Sequence, residues 1–208
     1  MSRQIAYYFT IVSPWAYIGH DLFTRVARKH DATIDYRPVN LGEVFPQSGG
    51  LPLAKRHPLR VAYRTMELKR WREKRELHFA LKPKGWPFDP TLADCVALAL
   101  LARGDDPNVY LSNAFRAVFE KEINLGEAAN VSAVLNETGH HADVLIADAQ
   151  SQPTRDAYAA NNKAALEAGV FGSPSYVLDG EVFWGQDRIE LLDEALASGR
   201  RAFLASSE

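Results

Sequence analysis

The hydrophobic pattern changes period five times along this chain. Ile5 to Val12 is an almost unbroken run of aromatic and branched residues, as a buried strand requires. After Ser13-Pro14 the spacing turns helical, with Trp15, Ile18, Leu22, Phe23 and Val26 three to four positions apart. Serine is a favoured N-cap and proline fits the first helical position, so this boundary has a mechanism. Thr33 to Val39 reads as a second strand. Strand, helix and strand in that order and length make a βαβ unit.

Gly42 to Pro58 reads as a loop, broken by Gly49, Gly50, Pro52 and Pro58. From there to Ala168 the apolar spacing predicts only helices. They run from Leu59 to about Leu77, Leu92 to Arg103, Pro107 to Glu122 and Val131 to Glu137, with a last stretch, Ala142 to Ala168, split at Pro153. Pro83, Pro87 and Pro90 keep the segment before Leu92 irregular. The end of the chain reverts to strands. Tyr176-Val177-Leu178 and Val182-Phe183-Trp184 flank Asp179-Gly180, a strong hairpin signal. Asp187 is placed as the cap of a final helix from Arg188 to Ala197, with Glu190 completing a capping box. The order βαβ, helices, ββα predicts an α/β, thioredoxin-like fold with a long all-helical insertion. Residues 1–42 and 169–208 are assigned to the thioredoxin-like domain and 43–168 to the inserted helical domain.

Composition narrows the function classes. A chain of 208 residues, 47% of them hydrophobic, can bury a core without disulfides or metals. A net charge of -2 gives no reason to expect a nucleic-acid or anionic-membrane partner. The single cysteine, Cys95, rules out an intramolecular disulfide and any Cys-x-x-Cys pair, which suits a reducing compartment. Cys95 lies among Leu92, Val96 and Leu98 and is expected to be a buried, inert thiol. Met1 leads straight into an apolar run with no small-residue cleavage site, so the N-terminus reads as mature structure. No apolar run approaches the roughly 20 residues of a spanning helix. The expectation is a cytoplasmic protein.

Three short segments carry candidate chemistry. Ser13 sits where a strand meets a helix, beside unpaired N–H groups and the positive end of the helix dipole. A thioredoxin-like protein places its reactive cysteine there, and here the quartet is Ser13-Pro14-Trp15-Ala16. With no thiol, the serine can instead donate a hydrogen bond to the thiolate of a bound molecule. In Gly172-Ser173-Pro174, a proline directly before a strand is a candidate cis peptide that leaves the N–H and C=O of Ser173 free for an extended ligand. Gly185-Gln186-Asp187 opens the last helix and offers groups for a carboxylate and an ammonium. Each alone also has a plain structural reading, as a cap or a turn.

Taken together, the strand–Ser13-Pro14–helix opening, the helical stretch, Gly169 through Pro174 and Phe183-Trp184-Gly185-Gln186-Asp187-Arg188 resemble the 2-hydroxychromene-2-carboxylate isomerase family. That family is similar to the kappa-class glutathione transferases and, more remotely, to the DsbA-type oxidoreductases. The resemblance spans Tyr8 to Leu192. It implies a homodimer that uses glutathione for cis-trans isomerisation of an aromatic keto acid in aromatic-compound catabolism. Ser13 would be its catalytic residue. Ser173, Pro174, Gln186, Asp187 and the loop position of Gly50 would hold the cofactor. Many relatives carry aspartate where this chain has Thr10, and several carry asparagine where it has Gly50. Two alternatives stand: a kappa-type transferase or peroxidase, which no local feature separates from the isomerase, and a non-catalytic thioredoxin-like binding protein, kept open by these departures and the missing redox cysteines.

Substrate contacts are expected from Trp15, Trp86, Trp184 and Arg60. Lys55, Arg56 and Arg64 accompany Arg60 after the glycine pair, and one or two of these cations suit a substrate carboxylate. The charged run Lys69 to Arg75 reads as a solvated helix face. His140-His141 matches no metal spacing.

Overall fold

The structure is a computed structural model that describes residues 3–204. The outermost positions of the two assigned terminal segments lie outside it. Strand β1 (Gln4–Phe9) leads into helix α1 (Pro14–Lys29) and strand β2 (Thr33–Pro38). Seven helices follow: α2 (Leu41–Ser48), α3 (Pro58–Lys74), α4 (Thr91–Ala102), α5 (Asn108–Phe119), α6 (Ala128–Glu137), α7 (Ala142–Ala149) and α8 (Gln152–Glu167). Strands β3 (Ser175–Leu178) and β4 (Glu181–Trp184) and helix α9 (Ile189–Ser198) complete the described chain. The sheet order is β2-β1-β3-β4, with β1 and β2 parallel and the other pairs antiparallel. This is the thioredoxin-like arrangement expected from the sequence.

The alternation of β1 decides which helices cover which face. Ile5, Tyr7 and Phe9 join the large core with α1, α5 and α9, whereas Tyr8 packs on the other side with Val39, Ala165 and Val170. Apolar residues of α4 to α7 belong to the same continuous core as β1 and α1. The β3–β4 turn has positive φ at both Asp179 and Gly180, which is why that dipeptide signals a hairpin. Gly19 lets α1 press against the far end of the molecule: a Cβ there would lie 2.8 Å from the Gln186 Cβ and 2.9 Å from the Tyr176 Oη.

Three expectations need correction. Residues 42–48 of the expected loop belong to α2, which starts at Leu41. The Asn40 side chain accepts from the Gly42 N–H at 2.8 Å, and Gly49 ends the helix in the left-handed region at φ 76°. The helix accommodates Pro46 between those two caps. Asp187 does not cap the last helix. A 3₁₀ turn over Gln186–Arg188 delays α9 to Ile189, so Asp187 precedes the cap position and its carboxylate accepts from Arg188 at 2.6 Å. Glu190 lies 3.6 Å from Arg75 instead of closing a capping box. Finally, β1 stops at Phe9, because Thr10 to Val12 turn so that the Ser13 N–H reaches the Thr10 carbonyl at 3.0 Å.

Candidate active site

That turn sets Ser13 at the N-terminus of α1. Its Oγ accepts from the Ala16 N–H at 3.3 Å, as an N-cap does, and donates to the Ser173 carbonyl at 3.1 Å. Ser173-Pro174 is cis, as the sequence suggested. The Ser173 Oγ in turn accepts from the Thr10 N–H at 3.2 Å, so two hydrogen bonds knit the β1–α1 turn to the loop before β3. The Ser173 carbonyl, expected to be free, is therefore engaged by Ser13; a carbonyl oxygen has a second lone pair to offer. Among the described residues the N–H groups of Ser173 and Trp15 have no acceptor. No acidic residue lies in the first turn of α1 to offset its positive end.

A residue the motifs did not reveal lies beneath this corner. Asp94, on α4, is fully buried. Its carboxylate accepts from the Ile11 N–H at 2.8 Å, the Thr10 Oγ1 at 2.7 Å and the Tyr158 hydroxyl at 3.0 Å. Burial lifts the Asp94 carboxyl to about 7, against the pull of those three donors. Thr10 thus brings no charge of its own but is tied to one supplied from α4. A lone acid within the apolar stretch Leu92 to Val96 was the available signal.

Above the corner is an aromatic and cationic rim. The Trp86 Nε1 donates to the Val12 carbonyl at 2.9 Å, which docks its indole one residue from Ser13. The Arg64 guanidinium lies 5.5 Å from the Trp86 ring centroid and 6.0 Å from that of Trp15. Arg60, one turn earlier on α3, is exposed and touches neither ring. Trp184 is half exposed, edge-on to Phe171, and a Cβ on Gly172 would lie 2.4 Å from its Nε1. Gly50 packs on Phe45, where a Cβ would come within 2.4 Å of the ring. Gln186 is buried, with its Oε1 unpartnered among the described residues, while Asp187 remains partly exposed beside Arg188. Cys95 is buried, as expected, and its thiol is pushed up to about 12 by that burial.

No group of three metal-ligating side chains is present among the described residues, and no helix there is long and apolar enough to cross a membrane. A cavity of about 540 Å³ opens between Thr24, Arg28, Tyr36 and Asn108, toward the C-terminal end of α1. It is remote from Ser13, which lies at the other end of that helix.

Fold and site together define a thioredoxin-like protein with a serine, Ser13, capping its first helix. Residues 4–197 match the DSBA-like thioredoxin domain, and the chain belongs to that family. It is 26% identical over 198 residues to the 2-hydroxychromene-2-carboxylate isomerase of Sphingobium xenophagum, covering 94% of this chain and 99% of that one. A solved 2-hydroxychromene-2-carboxylate isomerase superposes with a TM-score of 0.79 at 22% identity, over 94% of this chain and 95% of that one. The cytosolic disulfide reductase DsbM from Pseudomonas aeruginosa, solved with GSH, gives a TM-score of 0.68 at 15% identity, over 94% and 96% of the two chains. The resemblance read from the serine motifs therefore extends over nearly the whole chain.

Proposed function

We propose that this protein is a glutathione-dependent cis-trans isomerase of 2-hydroxychromene-2-carboxylate or a similar aromatic keto acid. One observation carries the reading: the Ser13 hydroxyl, at the uncompensated N-terminus of α1, faces the carbonyl that precedes cis-Pro174. The isomerase from Sphingobium xenophagum supports the reaction, and the GSH-bound relative supports the cofactor. The amides of Ser173 and Trp15, which have no acceptor among the described residues, are consistent with an extended ligand there.

Bound glutathione would supply the thiolate nucleophile that a serine without a neighbouring base cannot become. The contribution of the chain is to hold and stabilise that charge. The hydroxyl hydrogen of Ser13, now directed at Ser173, is a donor that can rotate toward an anion. The α1 dipole adds to it, and each unit by which such a field lowers a thiol pKa is worth about 1.4 kcal/mol. Ser173 would pair with the peptide backbone of the cofactor, Gln186 and Asp187 would receive its γ-glutamyl end, and Trp15 and Trp86 would flank the planar substrate. The cytoplasmic setting and the homodimer come with the same reading.

The test is isomerisation of 2-hydroxychromene-2-carboxylate, followed by absorbance with and without glutathione. Turnover that requires glutathione supports the reading. Glutathione-independent turnover, or conjugation of a model electrophile far outpacing isomerisation, contradicts it.

A further inference from the structure

The segment from the end of α2 into α3 carries four cations, Lys55, Arg56, Arg60 and Arg64, and none forms an ion pair among the described residues. One turn further along α3, Arg70 is paired with Glu67. Lys55 and Arg60 are exposed, whereas Arg64 is half-buried between two indoles, and burial together with the neighbouring Arg56 lowers its pKa to about 10. It therefore stays charged at neutral pH while giving up much of its hydration without a counter-ion, a costly arrangement unless a ligand supplies the anion. The surroundings say which anion. A guanidinium presents a planar fork that matches a carboxylate, and two indole rings offer flat apolar walls. Both walls are tied to the reactive corner, since Trp15 is two residues beyond Ser13 and Trp86 is bonded to the Val12 carbonyl.

We propose that Arg64 binds the carboxylate of a planar aromatic or conjugated acid, lying against Trp15 and Trp86 beside Ser13. That this acid is the substrate rests on the proposed function; the binding itself does not. A carboxylate of glutathione has the same chemistry, so the test separates the two sources.

The experiment is calorimetric titration of the full chain with 2-naphthoate and with its uncharged isostere 2-naphthamide, for wild type, R64M and the exposed-cation control R60M. Wild type should prefer the acid by about 10- to 100-fold, the range for a charge-assisted pair. R64M should lose that preference, and R60M should keep it to within about threefold. Glutathione affinity should be the same in wild type and R64M. Should R64M not fold, R64Q gives the same reading. An acid preference that survives in R64M, a failure of naphthoate to bind wild type at millimolar concentration, or a loss in R64M confined to glutathione would each overturn the proposal. None of these titrations requires turnover, so a failed isomerase assay leaves them interpretable.

Discussion

The corner around Ser13 and the rim formed by α3 are neighbours built on opposite principles. In the corner every polar side chain is committed: Ser13, Thr10, Ser173 and Asp94 are buried and joined by hydrogen bonds across β1, α4 and the loop before β3. On the rim, α3 buries only Leu68 of its seventeen residues, leaves Leu59, Tyr63 and Met66 exposed and carries unpaired cations. A preorganised corner suits a fixed task such as stabilising one thiolate, since its framework is already held and only the Ser13 hydroxyl has to turn when charge appears. A loosely packed, charged helix leaves side chains free to meet a ligand. The difference teaches how the proposed function would divide: thiolate stabilisation in the buried corner, substrate recognition on the charged rim.

The comparison breaks most severely if Ser13 proves dispensable. Ser13→Ala should lower glutathione-dependent turnover by about 10²–10³-fold, the usual cost of losing one donor to a developing anion. Thermal melts should show no more than the ~1 kcal/mol of a lost N-cap. Next in size, Asp94→Ala should cost ~3 kcal/mol or more in denaturant unfolding, because the donors of Thr10, Ile11 and Tyr158 are left without an acceptor.

Asp94 also gives the corner a pH signature. Its carboxyl sits at about 7 in the folded protein against an ordinary 3.8, so the folded state holds this proton more tightly. The resulting stabilisation is full below about 3.8 and is lost as pH rises through about 7. Unfolding of wild type and Asp94→Asn measured from pH 4 to pH 8 should show the advantage of wild type shrinking steadily with rising pH. A constant difference would mean that Asp94 is ionised throughout.

Smaller effects sharpen the contrast. Gly19→Ala should cost ~1–3 kcal/mol by overpacking α1 against Gln186 and Tyr176, measured by urea unfolding. On the rim, Met66→Ser should change stability by less than about 0.5 kcal/mol, since that side chain is exposed.

What the sequence revealed follows from how local each signal is. The Ser13-Pro14 boundary, the Asp179-Gly180 hairpin and the split at Pro153 are decided within a few residues, and all three appear in the structure. Helix α2 is missed because Gly49, Gly50, Pro52 and Pro58 read as one loop, although Asn40 and Gly49 cap a helix before them. The Asp187 cap failed because a 3₁₀ turn and a local helix start share one sequence pattern. Asp94 could not be assigned to the corner from motifs, since its partners lie 83 and 84 positions upstream and 64 downstream. Arg60 and Arg64 share a face of α3 by spacing, and only the docking of that helix decides which meets the indoles.

The most direct test of the central claim is calorimetric titration of glutathione into wild type and Ser13→Ala at neutral pH, with thiolate absorbance followed in parallel. Binding accompanied by a thiolate signal that disappears in the variant is the predicted result. No binding at millimolar glutathione, or a thiolate signal of equal size in Ser13→Ala, would contradict the account.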